Sequence, residues 1–244
     1  MTTPSSHSPV LPHDPIEKLF PDIYMVQGSV KIGPIRFNRN MVIVRNNGQL
    51  TLINPVRLNP EEEIRLLELG KIKHVLRQGT IHGLDDAYYV QKFSAEFWSL
   101  AGSEENHPKP VTDTSHLIGV DCALPFDDAE LFVFNGTKLP ESALLLQQHG
   151  GILVTCDCVQ SWRNWNQCNL IARLMMPLLG FGIRTLVGRP WLKRMTPEGG
   201  SLESEFKRLL QWEFNHMIGA HGGFCRGGAH KEVELAVAAA YAKK

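Results

Sequence analysis

Short apolar runs, some alternating with polar positions and some continuous, divide the chain into predicted strands and helices. The β-prone runs 41–45 and 49–53 flank an Asn-Asn-Gly turn, which is typical of a β-hairpin. Further strands are predicted at 23–26, 32–37, 72–76, 131–135, 143–147, 152–155 and 216–220. Apolar positions at helical spacing predict helices at 61–69, 87–100, 162–179, 202–210 and 232–242.

The order of these elements predicts the fold class. Strands and a helix are followed by strands and helices again, in two halves of comparable length. Because sheets and amphipathic helices must each bury one apolar face, this order predicts an α/β (α+β) sandwich of mixed sheets with helices on its outer faces. We expect a single domain over 21–244. The Pro- and Ser-rich stretch 1–20 before it is predicted to be a flexible arm.

Charge and composition exclude several classes of function. The chain has 25 Lys plus Arg and 25 Asp plus Glu, so its formal net charge is zero and we expect neither a nucleic-acid nor a membrane partner. No apolar run reaches the roughly 18 residues of a spanning helix, and no secretory signal is visible. Five scattered cysteines favour reduced thiols. We therefore expect a cytoplasmic protein that binds a small-molecule substrate, and a homodimer stays open.

Histidines and aspartates follow three of the predicted strands. His82 and the pair Asp85-Asp86 come after the first, Asp157 after the second and His221 after the third. Side chains at strand ends are held by a stiff sheet and face a cleft, where preorganised sites are built. If these imidazoles and carboxylates converge, they form a site suited to divalent zinc, iron or manganese.

Each of these residues also has a purely structural interpretation. His82, considered alone, is typical of a loop histidine, and one of the two acids Asp85 and Asp86 is expected to cap the helix that follows them. Asp157 is the strongest candidate, because an unpaired acid after a strand of Ile, Leu and Val is costly to bury. Its neighbours Cys156 and Cys158 are predicted to pack on the opposite side.

Four segments, in this order, resemble the metallo-β-lactamase fold superfamily over Tyr24 to Tyr241. They are NMVIVRNNGQLTLINPV, KIKHVLRQGTIHGLDDAYY, NGTKLPESALLLQQHGGILVTCD and NHMIGAHG. The second resembles the strand and loop that carry the family's H-x-H-x-D-H motif, and the last resembles the strand that ends in its final histidine. The resemblance implies a four-layer αββα sandwich of two mixed β-sheets flanked by helices.

The sequence departs from the family's motifs at several metal-binding positions. Asn54 stands where an aspartate usually ends the opening strands, and the segment 136–138 lacks the family's histidine. Most of the H-x-H-x-D-H pattern is replaced, so a full dinuclear site with five histidines is absent. The resemblance matches Asp157 to the family's bridging acid and His221 to its last histidine. It thus implies a metal site of His82, Asp85, Asp157 and His221, and implies that the catalytic residues are Asp157 and Asp86, the latter as general base or as an orienting group.

The resemblance implies a metal-dependent hydrolase with an atypical, carboxylate-rich site. Its substrate is an ester, thioester, lactone or phosphoester, and its cofactor is one divalent metal, with zinc first and iron or manganese as alternatives. The other interpretation is a non-catalytic descendant of the fold that binds a ligand or partner without metal. An oxidoreductase that uses iron at the same site is a third.

Overall fold

The computed structural model describes residues 7–104, 110–119 and 124–242, which form strands and helices in alternation. The strands are β1 (Glu17–Phe20), β2 (Ile23–Ile32), β3 (Ile35–Asn46), β4 (Gln49–Ile53), β5 (Lys71–Arg77), β6 (Glu96–Leu100), β7 (Ser115–Ile118), β8 (Ala129–Val133), β9 (Ser142–Leu146), β10 (Ile152–Thr155), β11 (Gln160–Ser161), β12 (Thr185–Leu186) and β13 (His216–Gly219). The helices are α1 (Pro60–Leu69), α2 (Asp86–Phe93), α3 (Leu170–Leu178), α4 (Arg189–Met195), α5 (Glu203–Leu209) and α6 (Ala229–Tyr241).

Two mixed sheets organise these elements. The first has the strand order β1-β2-β3-β4-β5-β6-β7; its pairs are antiparallel up to β4 and parallel from β4 to β7. The second has the order β13-β10-β9-β8, and its β13–β10 pair is parallel. Strands β11 and β12 form a short separate ribbon.

The large sheets pack face to face, and the alternation of side chains along each strand decides which residues meet between them. In β2, Ile23 and Met25 point into the layer between the sheets, whereas Tyr24 and Val26 pack on the side of α1 and α2. The outer face of the second sheet is covered by α4, α5 and α6. The predicted αββα sandwich of two mixed sheets is therefore confirmed.

Two predicted helices differ from the structure. The predicted helix 87–100 ends at Phe93, because Ser94 adopts a left-handed conformation (φ 51°), and the chain continues as β6. Its aromatic residues suit a buried strand as well as a helix, so spacing alone could not separate the two. The predicted helix 162–179 begins only at α3, where Asn169 caps the helix and its side chain accepts from the N–H of Ala172.

The described part of the N-terminal arm lies along the domain. Strand β1 pairs with β2 at the edge of the first sheet. Ahead of it, the N–H of Asp14 donates to the carbonyl of Gln27 (2.7 Å) and the hydroxyl of Ser29 donates to the carbonyl of Pro12 (2.7 Å). Residues 1–6 of the predicted arm and Cys122 lie outside the described residues. Within the described ranges, no helix has the length and apolar character needed to cross a membrane.

Candidate functional site

Three of the five predicted site residues meet at one edge of the sandwich. Asp157 follows β10 and His221 follows β13, and because these strands are parallel neighbours their carboxyl ends lie side by side. His82 reaches the same place from the loop after β5. Its Nε2 lies 3.4 Å from Oδ2 of Asp157, and Nε2 of His221 lies 3.0 Å from Oδ1. The structure thus brings together an acid and two imidazoles that are far apart along the chain.

All three side chains of this group are buried, so their charges interact strongly. Burial alone opposes ionisation of Asp157, but the facing imidazoles of His82 and His221 outweigh it and hold the pKa of the carboxyl well below its usual range. Asp157 is therefore an anion in the folded protein. Its Oδ2 is buried and has a long contact of 3.4 Å with Nε2 of His82.

The orientation of the His221 ring leaves one nitrogen directed at this anion. Its Nδ1 lies 2.5 Å from the carbonyl oxygen of Asn38, which can only accept, so Nδ1 carries a proton. In neutral His221, Nε2 then presents a lone pair to Oδ1 of Asp157. Two lone pairs at 3.0 Å repel, so the pair needs a cation at this position: a metal ion or a second ring proton.

Two asparagines of β3 hold the turn that carries His221. The side chain of Asn40 donates to the carbonyls of Gly219 (2.8 Å) and Gly222 (3.0 Å). The side-chain oxygen of Asn38 accepts from the N–H of Gly222 (2.6 Å). Sequence reasoning missed both residues, because nothing in their local pattern links β3 to a turn about 180 positions later.

Removing the Asn40 side chain is expected to destabilise the protein. Asn40→Ala leaves two buried carbonyls without their donor, so the free energy of unfolding should fall by about 1–3 kcal/mol. Urea unfolding monitored by circular dichroism measures this change. The matched control is Asn135→Ala, at an exposed position, which should leave the midpoint unchanged. Equal effects of the two variants would contradict the role assigned to Asn40.

Two further buried groups, not predicted as site residues, adjoin Asp157. One ligand atom each from Cys156, His82 and Asp157 lies within 4.8 Å of the others, so the expectation that Cys156 packs away from Asp157 is wrong. Glu141 accepts from the N–H groups of Asp157 (2.9 Å) and Cys158 (2.9 Å), which fixes the loop after β10. Burial and the neighbouring Asp157 raise the pKa of Glu141. The sequence does contain one signal that points to Cys156, namely its position directly before Asp157.

The structure does not bring Asp85 and Asp86 into this group of ligand atoms. Asp85 precedes α2 and forms a buried ion pair with Arg39 of β3, while its carboxylate also accepts from the N–H of Arg57 (2.7 Å). Asp86 accepts from Nε of Arg77 (2.7 Å), and both of these side chains are fully buried. Each carboxylate therefore neutralises a guanidinium. Spacing along the sequence does not reveal that these arginines need a counter-ion.

Asp157 and His221 form the base of a largely apolar pocket of about 330 Å³. Its walls come from the β2–β3 hairpin, from α3, and from the segment that joins α3 to α4. The apolar lining residues are Ile32, Ile35, Phe37, Ile81, Trp162, Ala172, Met175, Met176, Leu179, Phe181, Pro190 and Trp191. The polar groups besides Asp157 and His221 are Gln160 and Arg194. A pocket with apolar walls and a few convergent polar groups is typical of a small-molecule site.

Comparison with known proteins identifies the architecture. No protein-family profile and no curated protein sequence matches the chain. Among solved structures, DIM-1 metallo-β-lactamase is similar, with a TM-score of 0.66 at 13% identity over 94% of this chain and 99% of that one. TMB-1 is similar with a TM-score of 0.63 at 9% identity, over 96% of this chain and 100% of that one.

The metallo-β-lactamase FIM-1 from Pseudomonas aeruginosa, solved in a mono-zinc form, is similar over 93% of this chain and 96% of that one. Its TM-score is 0.60 and its identity to this chain is 10%. At such low identity the likeness concerns the fold. Together with the sheet order and the strand-end position of the site, it shows that this chain has the metallo-β-lactamase fold.

Proposed function

We propose that this protein is a metal-dependent hydrolase in which His82, Asp157 and His221 hold one divalent ion. The observation that carries the proposal is the convergence of two imidazole nitrogens on one buried carboxylate: Nε2 of His82 lies 3.4 Å and Nε2 of His221 lies 3.0 Å from the oxygens of Asp157. The carboxylate oxygens of Asp157 and the nearby thiol of Cys156 complete a set of nitrogen, oxygen and sulfur donors. This donor set favours zinc, with iron and manganese as alternatives.

The surrounding residues fit hydrolysis of an ester, thioester, lactone or phosphoester. When bound, a divalent ion supplies Lewis acidity and an acidified water molecule. Asn38 fixes the ring of His221, so that its free nitrogen is aimed before any ligand arrives. Trp162 Nε1 donates to the side-chain oxygen of Gln160 (2.9 Å) and thereby orients the amide that lines the pocket. The apolar walls exclude water from the rest of the substrate.

We propose a positioning role for the two acids that lie outside the group of ligand atoms. His82 lies in the loop between β5 and α2. Asp85 ties the end of that loop to Arg39 of β3, and Asp86 ties it to Arg77 of β5. These two ion pairs fix the end of the loop to β3 and to β5. The loop in turn places the His82 ring, although neither acid contacts a metal-ligating atom.

The alternative is a metal-free descendant of the fold that binds a ligand or partner. The same geometry supports it in one respect, because a second proton on His221 also satisfies the Asp157 carboxylate as an ion pair. The two proposals differ in whether a metal ion or a proton lies between Nε2 of His221 and the carboxylate of Asp157. A measurement of metal content therefore distinguishes them, whereas the shape of the pocket does not.

Metal content per chain tests the proposal directly. Protein purified without chelator and without a metal-affinity step is expected to hold about one zinc, iron or manganese ion, because these donors are preorganised. Asp157→Asn removes the central charge at nearly constant shape and should lose the ion. The control Asp113→Asn, at an exposed acid, should keep it.

Two results would contradict the proposal. The first is wild-type protein without metal, and the second is Asp157→Asn protein that retains it. Metal-loaded protein is then assayed against ester, thioester, lactone and phosphoester substrates, and inactivity against all four classes would remove the hydrolase function while leaving the metal site in place. Four free, buried cysteines, Cys156, Cys158, Cys168 and Cys225, favour a reducing compartment, and on that ground we propose a cytoplasmic location.

A further inference from the structure

Helix α3 exposes an unusually apolar surface. Leu170, Leu174 and Leu178 repeat every four residues and so form one row along the helix, with exposed fractions of 71%, 66% and 87%. The opposite side, with Ala172 and Met176, packs into the protein. A helix that is apolar on all sides is usually buried on all sides. The exposed row of α3 is thus a surface that lacks a partner among the described residues.

This apolar surface is continuous with the entrance of the pocket. Met175 of α3 and Leu179, the residue directly after it, line the pocket and are also exposed to solvent. Across the entrance stands Ile32 at the tip of the β2–β3 hairpin, which is 62% exposed and lines the same pocket. The leucine row, the entrance and the hairpin tip therefore form one exposed apolar face, which we call the α3 face.

The two chain segments that form the α3 face carry charges of one sign. Residues 158–197, which include α3 and α4, contain six Lys or Arg and no Asp or Glu. Residues 23–60, which include the β2–β3 hairpin, contain five Lys or Arg and again no Asp or Glu. The chain as a whole has equal numbers of both signs, so these two segments are cationic parts of a neutral protein. Acids of other segments pair with three of their cations, Arg39, Arg45 and Arg163.

Several of these cations lie next to the ends of α3. The carbonyl of Arg36 accepts from the N–H of Asn169 just before the helix (2.9 Å), and Arg184 donates to the carbonyl of Gly180 just after it (3.4 Å). Within the described ranges, the following cations form no ion pair with an acidic residue: Lys31, Arg36, Arg173, Arg184, Arg189 and Lys193. The segments that form the α3 face thus carry several cations without an ion pair among the described residues. One acid, Asp14, lies near the start of α3, where it accepts from the side chain of Gln167 (2.7 Å).

We propose that the α3 face docks on the surface of an anionic lipid bilayer. Aliphatic side chains on one helix face enter the boundary between headgroups and acyl chains, and the surrounding Lys and Arg attract lipid phosphates. A second copy of this chain is a poorer partner, because a symmetric contact would place identical cationic rims against each other. The expectation of no membrane partner rests on the net charge of the whole chain. That net charge is zero because the cations of these two segments are balanced by acids in other segments.

Sedimentation with lipid vesicles tests this docking on the full-length protein. Wild-type protein is expected to pellet with vesicles of phosphatidylcholine and phosphatidylglycerol, and much less with phosphatidylcholine alone. Added salt should release it, because exposed charges are screened. The double variant Leu174→Asp/Leu178→Asp should bind the anionic vesicles about tenfold or more weakly, since it places two carboxylates in the apolar row.

The control variant is Ile64→Asp, which adds a carboxylate at a 61% exposed aliphatic position of α1. It should bind vesicles like the wild type, and circular dichroism should show that all variants are folded. Failure of the wild type to bind anionic vesicles would overturn the proposal, as would undiminished binding by the double variant. A wild-type dimer in sedimentation velocity that the double variant converts to monomers would also overturn it, because a second copy would then cover the α3 face.

Discussion

Replacing Asp86 by alanine is expected to lower the free energy of unfolding by about 3–5 kcal/mol, because it leaves a buried guanidinium without its counter-ion. Arg77 and Asp86 are both fully buried, and Nε of Arg77 donates to the carboxylate at 2.7 Å. Arg77 also donates to the carbonyl of Ser103 (3.1 Å), so it cannot move to solvent without breaking further contacts. Urea or thermal unfolding measures the loss.

The double variant Arg77→Met/Asp86→Leu separates charge from packing. Replacing both members of a buried ion pair with apolar residues is often neutral, so the double variant should recover most of the stability that Asp86→Ala loses. Because the Arg77–Asp86 ion pair positions the loop that carries His82, metal content per folded chain should fall in both variants, including the double variant that recovers stability. A loss below about 1 kcal/mol in Asp86→Ala would contradict the structural role of the ion pair, and full metal content in both folded variants would contradict its positioning role.

The second large effect is expected at Gly222, directly after His221. Gly222 has φ of 90°, and a Cβ built on it would overlap the carbonyl oxygen of Ser161 and lie 2.9 Å from the backbone nitrogen of Trp162. Gly222→Ala therefore combines backbone strain with a clash against main-chain atoms, and we expect it to cost about 3 kcal/mol or more. The turn must open to relieve the clash, so folded protein should also lose metal through displacement of His221.

Gly227 offers a matched control for this substitution. Its φ of 79° is similar, but no atom lies within 4 Å of the position that a Cβ would take. Gly227→Ala should therefore cost only the strain of a left-handed conformation, about 1 kcal/mol, and should keep its metal. Unfolding curves of the two variants give the comparison. Equal losses would show that the close approach to Ser161 is not the cause.

The sequence predicted where the site lies better than it predicted which residues form the site. His82, Asp157 and His221 follow strands that end at a common edge, and strand ends are readable from apolar runs. Asp85 and Asp86 also follow a strand, but they form ion pairs with Arg39 of β3 and Arg77 of β5. Which acid pairs with which arginine depends on tertiary contacts, so local spacing could not assign them.

The same limit applied to secondary structure and to single polar contacts. Phe97 and Trp98 were predicted as part of a helix because aromatic residues satisfy both periodicities, and only their parallel partners in β5 and β7 make them a strand. Asn38, Asn40 and Glu141 act through single contacts to distant main-chain atoms. Such contacts leave no periodic trace along the chain.

The parallel pairing of β13 with β10 has a consequence for the order of folding. These strands are separated by the segment 156–215, so their pairing closes a long loop, whereas β2 and β3 are joined by a tight hairpin. Loop closure over that distance costs more chain entropy, and contacts of this kind form late. His221 follows β13, so it reaches Asp157 only after the second sheet is assembled. A chain still emerging from the ribosome therefore forms its hairpins before it forms the site. Binding of the proposed metal ion at the site would then indicate that folding is complete.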